Sequence, residues 1–262
     1  QMNISLKSKN ALIGGSSKGL GKAVARQLAM SGAKVTLVAR SENLLIKTIN
    51  ELNNISNIKH DYIVCNYNDH KNYSKIISDY IKNNRVDILV NNTQGPKSGN
   101  VTSLSIEDYQ SSFDLLFKNV VFTSMLALEQ MKKNKWGRII NMTSVSVKEP
   151  LSYLALSNTV RSSVISWAKT LSNDIGENNI TVNNILTGFF DTERLKELNS
   201  EKAIKMNLKI DDLYDSMKEQ VPLKRIGKPE EFGYLVSFLA SDYASYINGS
   251  NIPIDGGLLK SI

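Results

Sequence analysis

Short apolar runs alternate along the chain with longer segments in which apolar residues recur every three or four positions. The short runs are typical of buried strands, and the longer periodic segments are typical of amphipathic helices. Because strands that alternate with helices through short connections usually pair in parallel, we expect one α/β domain over residues 1–262. Its sheet is predicted to be doubly wound, mainly parallel and seven-stranded, with helices on both faces. The seven predicted strands are 10–13, 34–39, 58–65, 86–90, 137–142, 181–186 and 251–254.

One segment interrupts the alternation of strands and helices. Residues 193–220 are rich in charge and favour helix, and they follow the sixth predicted strand directly. The sequence therefore predicts a helical lid over a ligand cleft at about 193–220. Apolar side chains near its start fit either an apolar substrate wall or ordinary packing of a lid, and they are Phe189, Phe190, Leu195 and Leu198.

A glycine-rich turn joins the first predicted strand to a helical pattern. Its spacing, Gly15-x3-Gly19-x-Gly21, is neither that of a Walker loop nor the G-x-G-x-x-G form. A strand-to-helix turn directs unpaired backbone N–H groups and the positive end of the helix dipole at one point, which suits a phosphate. A glycine-rich turn without a ligand is the alternative, but the flanking elements favour a dinucleotide site. The predicted cofactor contacts here are Gly15, Ser17, Lys18, Gly19, Leu20 and Gly21.

Arg40 and Ser41 follow the second predicted strand. In a dinucleotide-binding fold this position, about 20 residues after the glycines, contacts the adenosine ribose. An acidic residue there binds the 2′-hydroxyl, whereas an arginine accommodates a 2′-phosphate. Lys18 in the glycine turn can reach the same phosphate. Solvated charges are the alternative for each residue, but the two together favour NADP over NAD.

Polar residues also close the next two predicted strands. Asn66 and Tyr67 lie where an adenine ring would bind, and Asn91 ends the fourth strand. Ligands of doubly wound sheets bind outside the carboxyl ends of the strands. Because Gly15, Arg40, Asn66 and Asn91 all occupy such ends, they predict one shared site on a Rossmann-type fold.

Composition and charge narrow the class of protein further. The net charge is +7, but the lysines are scattered, so a nucleic-acid partner is not expected. We expect no membrane-spanning segment and no signal peptide, and the single cysteine, Cys65, cannot form an internal disulfide. These features predict a cytoplasmic protein. His60 and His70 lack metal-ligand spacing, so no metal site is predicted.

Several further motifs together resemble the short-chain dehydrogenase/reductase family over nearly the whole chain, most closely its oxoacyl-carrier-protein-reductase-like branch. The resemblance implies hydride transfer between a nicotinamide and a small-molecule alcohol or carbonyl, and assembly as a homotetramer or at least a dimer. It also implies cofactor contacts at Asn92, Thr93, Arg161, Gly188, Phe190 and Thr192. The matching segments are Gly15-x3-Gly19-x-Gly21, Asn91-Asn92, 137–141, 180–183, 221–231, 241–249 and 255–257.

The resemblance breaks down at the catalytic positions. The family uses Asn, Ser, Tyr and Lys, the last two as Tyr-x3-Lys. Counting from the flanking matches places the serine at Ser144, but Ser157 stands at the tyrosine position and Arg161 at the lysine position. Leu116 stands at the asparagine position, with Asn119 almost one turn further along. The cofactor residues are therefore expected to be intact, whereas three of the four catalytic positions differ.

Two hypotheses follow for the function. The first is an NADP-dependent oxidoreductase in which Ser144 and Arg161 stabilise the alkoxide and water, Ser157 or Tyr153 supplies the proton. Tyr153 is the one nearby phenol, although a packing role in the lid is the alternative. The second hypothesis is a non-catalytic NADP(H)-binding sensor or scaffold. We favour the enzyme because the lid and the cofactor residues are retained.

Overall fold

The computed structural model describes residues 3–261, apart from the side chain of Lys205. Seven strands form one sheet in the order β3-β2-β1-β4-β5-β6-β7, and every neighbouring pair is parallel. The prediction of a doubly wound α/β fold is therefore confirmed. The strands are β1 (Asn10–Gly14), β2 (Lys34–Ala39), β3 (Asp61–Val64), β4 (Ile88–Asn91), β5 (Gly137–Met142), β6 (Ile180–Thr187) and β7 (Asn251–Ile254).

Nine α-helices lie within the described residues, and those that flank the sheet form two apolar layers. One layer buries Val24, Leu45 and Phe232 against one face of the sheet, and the other buries Ile77, Leu128 and Val160 against the opposite face. The helices are α1 (Gly19–Met30), α2 (Glu42–Ile55), α3 (His70–Asn83), α4 (Ile106–Phe113), α5 (Asn119–Asn134), α6 (Ala155–Ile175), α7 (Glu193–Met206), α8 (Ile210–Gln220) and α9 (Pro229–Ala240).

The third strand is shorter than its predicted range. It was expected over 58–65 but is paired with β2 only at Asp61–Val64. The cause is His60, whose ring is buried and whose Nδ1 accepts the backbone N–H of Val35 at 3.1 Å. This side chain takes the place of a backbone partner at the start of the pairing.

A π-helical turn, Asp114–Lys118, joins α4 to α5 in one continuous helix of 29 residues. By length and composition alone this helix could cross a membrane, which the sequence analysis did not expect. Half of its apolar window is buried inside the protein, with Leu128 and Met131 in the core. A core helix of a sheet-based fold accounts for this pattern.

The carboxyl ends of the strands meet at one edge of the sheet. Gly15 follows β1, Arg40 follows β2, Asn92 follows β4, Thr143 follows β5 and Gly188 follows β6. The segment after β6 continues into α7 and α8, which together cover residues 193–220 of the predicted lid. The candidate site is built at this edge.

Candidate cofactor and active site

The glycine turn has the geometry of a phosphate-binding turn. Gly15 and Gly19 have φ values of 53° and 56°, in the left-handed region where a side chain is strained. A Cβ on Gly21 would lie 2.3 Å from the carbonyl oxygen of Gly15, so this position has no room for a side chain. No side chain caps the start of α1, and no acidic residue lies in its first turn. Its N–H groups and dipole therefore fit the phosphates of a dinucleotide.

Two neighbouring residues fix the shape of the glycine turn. The Asn92 side chain donates to the carbonyl oxygens of Gly14 and Gly15 at 3.1 and 3.3 Å. Ser16 is fully buried, and its hydroxyl accepts the backbone N–H of Val38 at 3.0 Å while donating to Ile13. The turn is therefore held by β4 on one side and by β2 on the other.

The Tyr67 side chain contacts the glycine turn at Gly14 and Gly15. Its ring is buried and packs against Tyr73 with a centroid separation of 4.9 Å. Burial raises the pKa of Tyr67, which a hydrogen bond with the Gly15 backbone partly opposes. A Cβ on Gly14 would lie 2.7 Å from the Tyr67 hydroxyl, so the glycine leaves room for the phenol. The ring thus lies inside the protein, whereas Asn66, the other residue predicted to contact adenine, is exposed.

The two cations predicted to contact a 2′-phosphate differ in their surroundings. Arg40 is exposed, beside Ser41 at the start of α2, and it forms no ion pair within residues 3–261. Lys18 is paired with Glu197 of α7, with 3.1 Å between Lys18 Nζ and Glu197 Oε1. The sequence analysis did not single out Glu197, because no local pattern relates it to a residue 179 positions earlier.

The segment after β6 leads from the edge of the sheet to α7. Thr192 caps α7 by accepting the backbone N–H of Leu195 at 3.2 Å. Phe190 is buried and stacks edge-on against Phe232 of α9, with ring centroids 5.6 Å apart. Its side chain therefore anchors this segment in the core. Gly188 packs against Asp255, where a Cβ would lie 2.6 Å from the Asp255 Cα.

Arg161 joins the first turns of α6 to the end of β5. Its Nε donates to the Ser157 hydroxyl at 3.2 Å, and its Nη1 donates to the carbonyl oxygen of Met142 at 2.6 Å. It forms no ion pair with an acidic residue within the described part of the chain. Burial lowers the pKa of Arg161 to about 10, so the guanidinium stays charged at neutral pH.

Ser144 lies two residues beyond Met142, after the end of β5. Its hydroxyl oxygen accepts the backbone N–H of Ser146 at 3.1 Å. Because a hydroxyl has one proton of its own, Ser144 keeps that proton for a second partner. The same holds for Ser157, whose oxygen accepts from Arg161. The structure thus gives two hydroxyl donors and one cation at the ends of β5 and the start of α6.

The π-helical turn places Leu116 and Asn119 in different environments. Leu116 is buried and lines a small internal cavity together with Arg161, Thr93 and Thr143. Asn119 is also buried, but its amide donates to the Tyr67 carbonyl at 2.8 Å and its oxygen contacts the His70 ring. Asn119 therefore ties α5 to the segment after β3 and does not enter the cavity that Leu116 lines.

Tyr153 lies near α7. Its side chain is 45% exposed, and the Lys202 ammonium of α7 lies 5.5 Å from the centre of its ring. Partial burial raises the pKa of Tyr153 above the ordinary value, which makes the phenol a weaker acid. Its backbone carbonyl accepts the N–H of Gly99 at 2.9 Å.

Comparisons with known proteins identify the family. A family model described as enoyl-(acyl carrier protein) reductase matches residues 15–259. The chain belongs to the short-chain dehydrogenase/reductase family. It is 29% identical over 98% of its length to the whole 3-oxoacyl-[acyl-carrier-protein] reductase FabG of Aquifex aeolicus. It is 30% identical, again over 98% of its length, to the whole NADPH-dependent reductase BacG of Bacillus subtilis.

A solved structure gives the same result. The L-sorbose reductase of Gluconobacter frateurii, solved with NADPH and L-sorbose, matches with a TM-score of 0.93 and 27% identity. The match covers all of both chains. The family that the motifs suggested is therefore confirmed.

Proposed function

We propose that this protein is an NADP(H)-dependent oxidoreductase of the short-chain dehydrogenase/reductase type that reduces the carbonyl of a small molecule with an atypical set of catalytic residues. The observation that carries the proposal is the bonding of Arg161, which links Ser157 to the end of β5 within 3.2 Å, beside a complete glycine turn. The NADPH dependence of BacG and the NADPH bound in the structure of L-sorbose reductase support the cofactor.

The cofactor residues of this chain fit NADP(H). The start of α1 and the glycine turn would hold the pyrophosphate, and Lys18, Arg40 and Ser41 would hold the 2′-phosphate. Asn92 and Thr93 lie beyond β4, and Gly188 and Thr192 lie beyond β6, on either side of the place for the nicotinamide. The reduced cofactor supplies the hydride for the reaction.

The remaining task of the protein is to stabilise negative charge on the substrate oxygen and to provide a proton. Ser144 and Ser157 each have a hydroxyl proton free to donate, and Arg161 places a permanent positive charge 3.2 Å from the Ser157 oxygen. Fixed donors aimed at developing charge are a large source of catalysis. Arg161 does not exchange protons near neutral pH, so the proton comes from water through Ser157, with Tyr153 as the alternative donor.

A non-catalytic NADP(H)-binding sensor is the second candidate function. The observation that favours it is that Leu116 fills a buried position beside Arg161 where the family resemblance places a polar catalytic asparagine. A sensor keeps the cofactor site and has no use for a proton path.

The experiment that separates the two functions is a turnover screen. Purified protein is incubated with NADPH and a panel of ketones, aldehydes and oxoacyl thioesters, and the loss of NADPH absorbance is followed. We expect turnover with at least one carbonyl, and we expect Ser144→Ala to abolish most of it. Tight NADPH binding without oxidation by any carbonyl would favour the sensor.

We also propose that the protein acts in the cytoplasm as one domain with its lid, and that it self-associates. An apolar groove of about 610 Å³ lies along the continuous helix, with the side chains of Phe113, Phe117, Val121 and Met125 on its wall. Phe113 and Met125 are 41% and 48% exposed, and a second copy would cover them. Light scattering at micromolar concentration tests this, and a monomer mass would contradict it.

A further inference from the structure

The lid contacts the phosphate-binding turn through an ion pair that the reaction does not require. Lys18 Nζ lies 3.1 Å from Glu197 Oε1, although the two residues belong to the glycine turn and to the middle of α7. The start of α7 lies over the same turn, since a Cβ on Gly19 would be 3.8 Å from the Glu193 carboxylate. Two carboxylates of the lid thus lie near the positive end of α1.

Glu197 forms an ion pair with Lys18, a cation that is also predicted to contact the cofactor. Of the two cations placed for a 2′-phosphate, Arg40 is exposed without an ion pair within residues 3–261, and Lys18 is engaged by Glu197. A phosphate that binds Lys18 must share it with the carboxylate or displace it. The Glu197 carboxylate has a second partner in Arg194, at 3.6 Å, so displacement does not leave it without a cation.

We infer that Glu197 is a cofactor-selectivity residue: it competes with the 2′-phosphate of NADP(H) for Lys18 and so weakens the binding of NADP(H) but not of NAD(H). NAD(H) carries an uncharged hydroxyl at this position, which does not compete with the Glu197 carboxylate for Lys18. The lid therefore lowers the preference for the phosphorylated cofactor below what Lys18 and Arg40 would give alone. This inference rests on the proposed cofactor but not on turnover.

The size of the effect follows from the exposure of the ion pair. Both side chains are 50% exposed, and pairs of this kind contribute little because water screens them. Releasing Lys18 from such a pair is expected to strengthen NADPH binding by about two- to fivefold. The carboxylate of Glu197 has a pKa below its ordinary value, first because of its hydrogen bond with Lys18, so the competitor is charged at neutral pH.

The test compares Glu197→Gln with Glu201→Gln. Glu201 lies about one turn further along α7, so its substitution removes the same charge from the same helix. Dissociation constants are measured for NADPH and NADH, and for 2′,5′-ADP and 5′-AMP, which differ by the 2′-phosphate alone. We expect Glu197→Gln to bind NADPH and 2′,5′-ADP two- to fivefold more tightly, with NADH and 5′-AMP unchanged and with Glu201→Gln like the wild type.

A double-mutant cycle identifies the partner. In a Lys18→Gln background the Glu197→Gln substitution is expected to have no effect on NADPH binding, because the cation for which the two anions compete is gone. An equal gain for NADPH and NADH, or a gain that persists without Lys18, would mean that Glu197 acts only through general charge, and the inference would be wrong. An unchanged NADPH affinity would also overturn it.

The cofactor assignment and the role of Glu197 fail in different ways. Wild-type protein that binds neither NADPH nor 2′,5′-ADP would refute the proposed function together with this inference. Wild-type protein that binds NADPH with the same affinity as the Glu197→Gln variant would refute this inference alone.

Discussion

The two halves of the site lie on the same edge of one sheet, but they are held in different ways. At the ends of β1, β2 and β4 the backbone itself forms the site. A side chain at Gly21 would clash with the backbone of the turn, and Asn92 holds the turn by hydrogen bonds, so its conformation can change little. At the end of β5 and the start of α6 the site is formed by side chains, among them Ser144, Ser157 and Arg161. Backbone geometry constrains the residue types closely, whereas a set of side-chain donors can be exchanged for another set. This difference would allow the cofactor turn to be kept while the side chains at the catalytic positions change, as we propose for this protein.

The largest expected effect is a loss of NADPH affinity at the glycine turn, in the half of the site that the backbone forms. Gly21→Ala introduces a Cβ 2.3 Å from the Gly15 carbonyl oxygen, so the turn must move away from its phosphate-binding shape. We expect the affinity for NADPH to fall at least about 100-fold, as for the loss of more than one charge-assisted hydrogen bond. Gly95→Ala is the matched control, because a Cβ there meets no atom within 4 Å. Titration of NADPH fluorescence measures both, and similar affinities would contradict the comparison.

Substitutions in the half of the site that side chains form are expected to change turnover and not cofactor binding. Ser144→Ala removes the donor that we propose stabilises the developing charge, so we expect kcat to fall by about 100-fold or more with little change in NADPH affinity. Ser146→Ala is the control. Its hydroxyl is buried without a hydrogen-bond partner among the described residues, so its loss leaves no group unpaired. Equal losses of kcat in the two variants would argue against a catalytic Ser144.

The sequence predicted the fold and the cofactor edge because these depend on local patterns. Seven apolar runs, the glycine spacing and Arg40 after β2 are each visible within a few neighbouring residues. Each run corresponds to a strand of the sheet, although the third strand is shorter than its predicted range. The contacts that sequence reasoning missed join distant residues. Glu197 meets Lys18, and the Tyr67 ring turns inward because Gly14 leaves space for it. No pattern along the chain specifies either contact.

Restoring the catalytic residues of the family tests whether the side-chain half is degraded or rebuilt. The triple variant carries Leu116→Asn, Ser157→Tyr and Arg161→Lys. Arg161 makes two hydrogen bonds in different directions, which a lysine cannot reproduce with the same geometry. Ser157 is only 7% exposed, so a tyrosine must displace its neighbours. We therefore expect the triple variant to lower kcat about tenfold, which is less than the ~10²–10⁴-fold that general acid–base catalysis typically contributes.

NADPH affinity and the melting temperature of the triple variant serve as its controls, since a folding defect would change both. A rise in kcat at unchanged stability would show that the present residues are remnants of the usual proton relay. That outcome would also weaken the proposal that Arg161 and Ser157 act together.

The smallest expected effect is a pH dependence of stability at the amino ends of β2 and β3, at the opposite end of these strands from the cofactor half. His60 is buried, its Nδ1 accepts the backbone N–H of Val35, and burial together with the nearby charge of Lys34 lowers its pKa below the ordinary 6.5. The neutral ring is therefore favoured in the folded protein, and its contribution is present above pH 6.5. It is lost as the pH falls towards the lowered pKa, because the unfolded chain then binds a proton that the folded protein rejects. One such group changes the free energy of unfolding by at most about 1.4 kcal/mol per pH unit.

Urea unfolding between pH 7.5 and pH 5.5 measures this effect. The free energy of unfolding should fall more steeply with falling pH for the wild type than for His60→Asn, which keeps an acceptor near Val35 but does not titrate. The same dependence of the free energy of unfolding on pH in both proteins would show that His60 is not the group responsible.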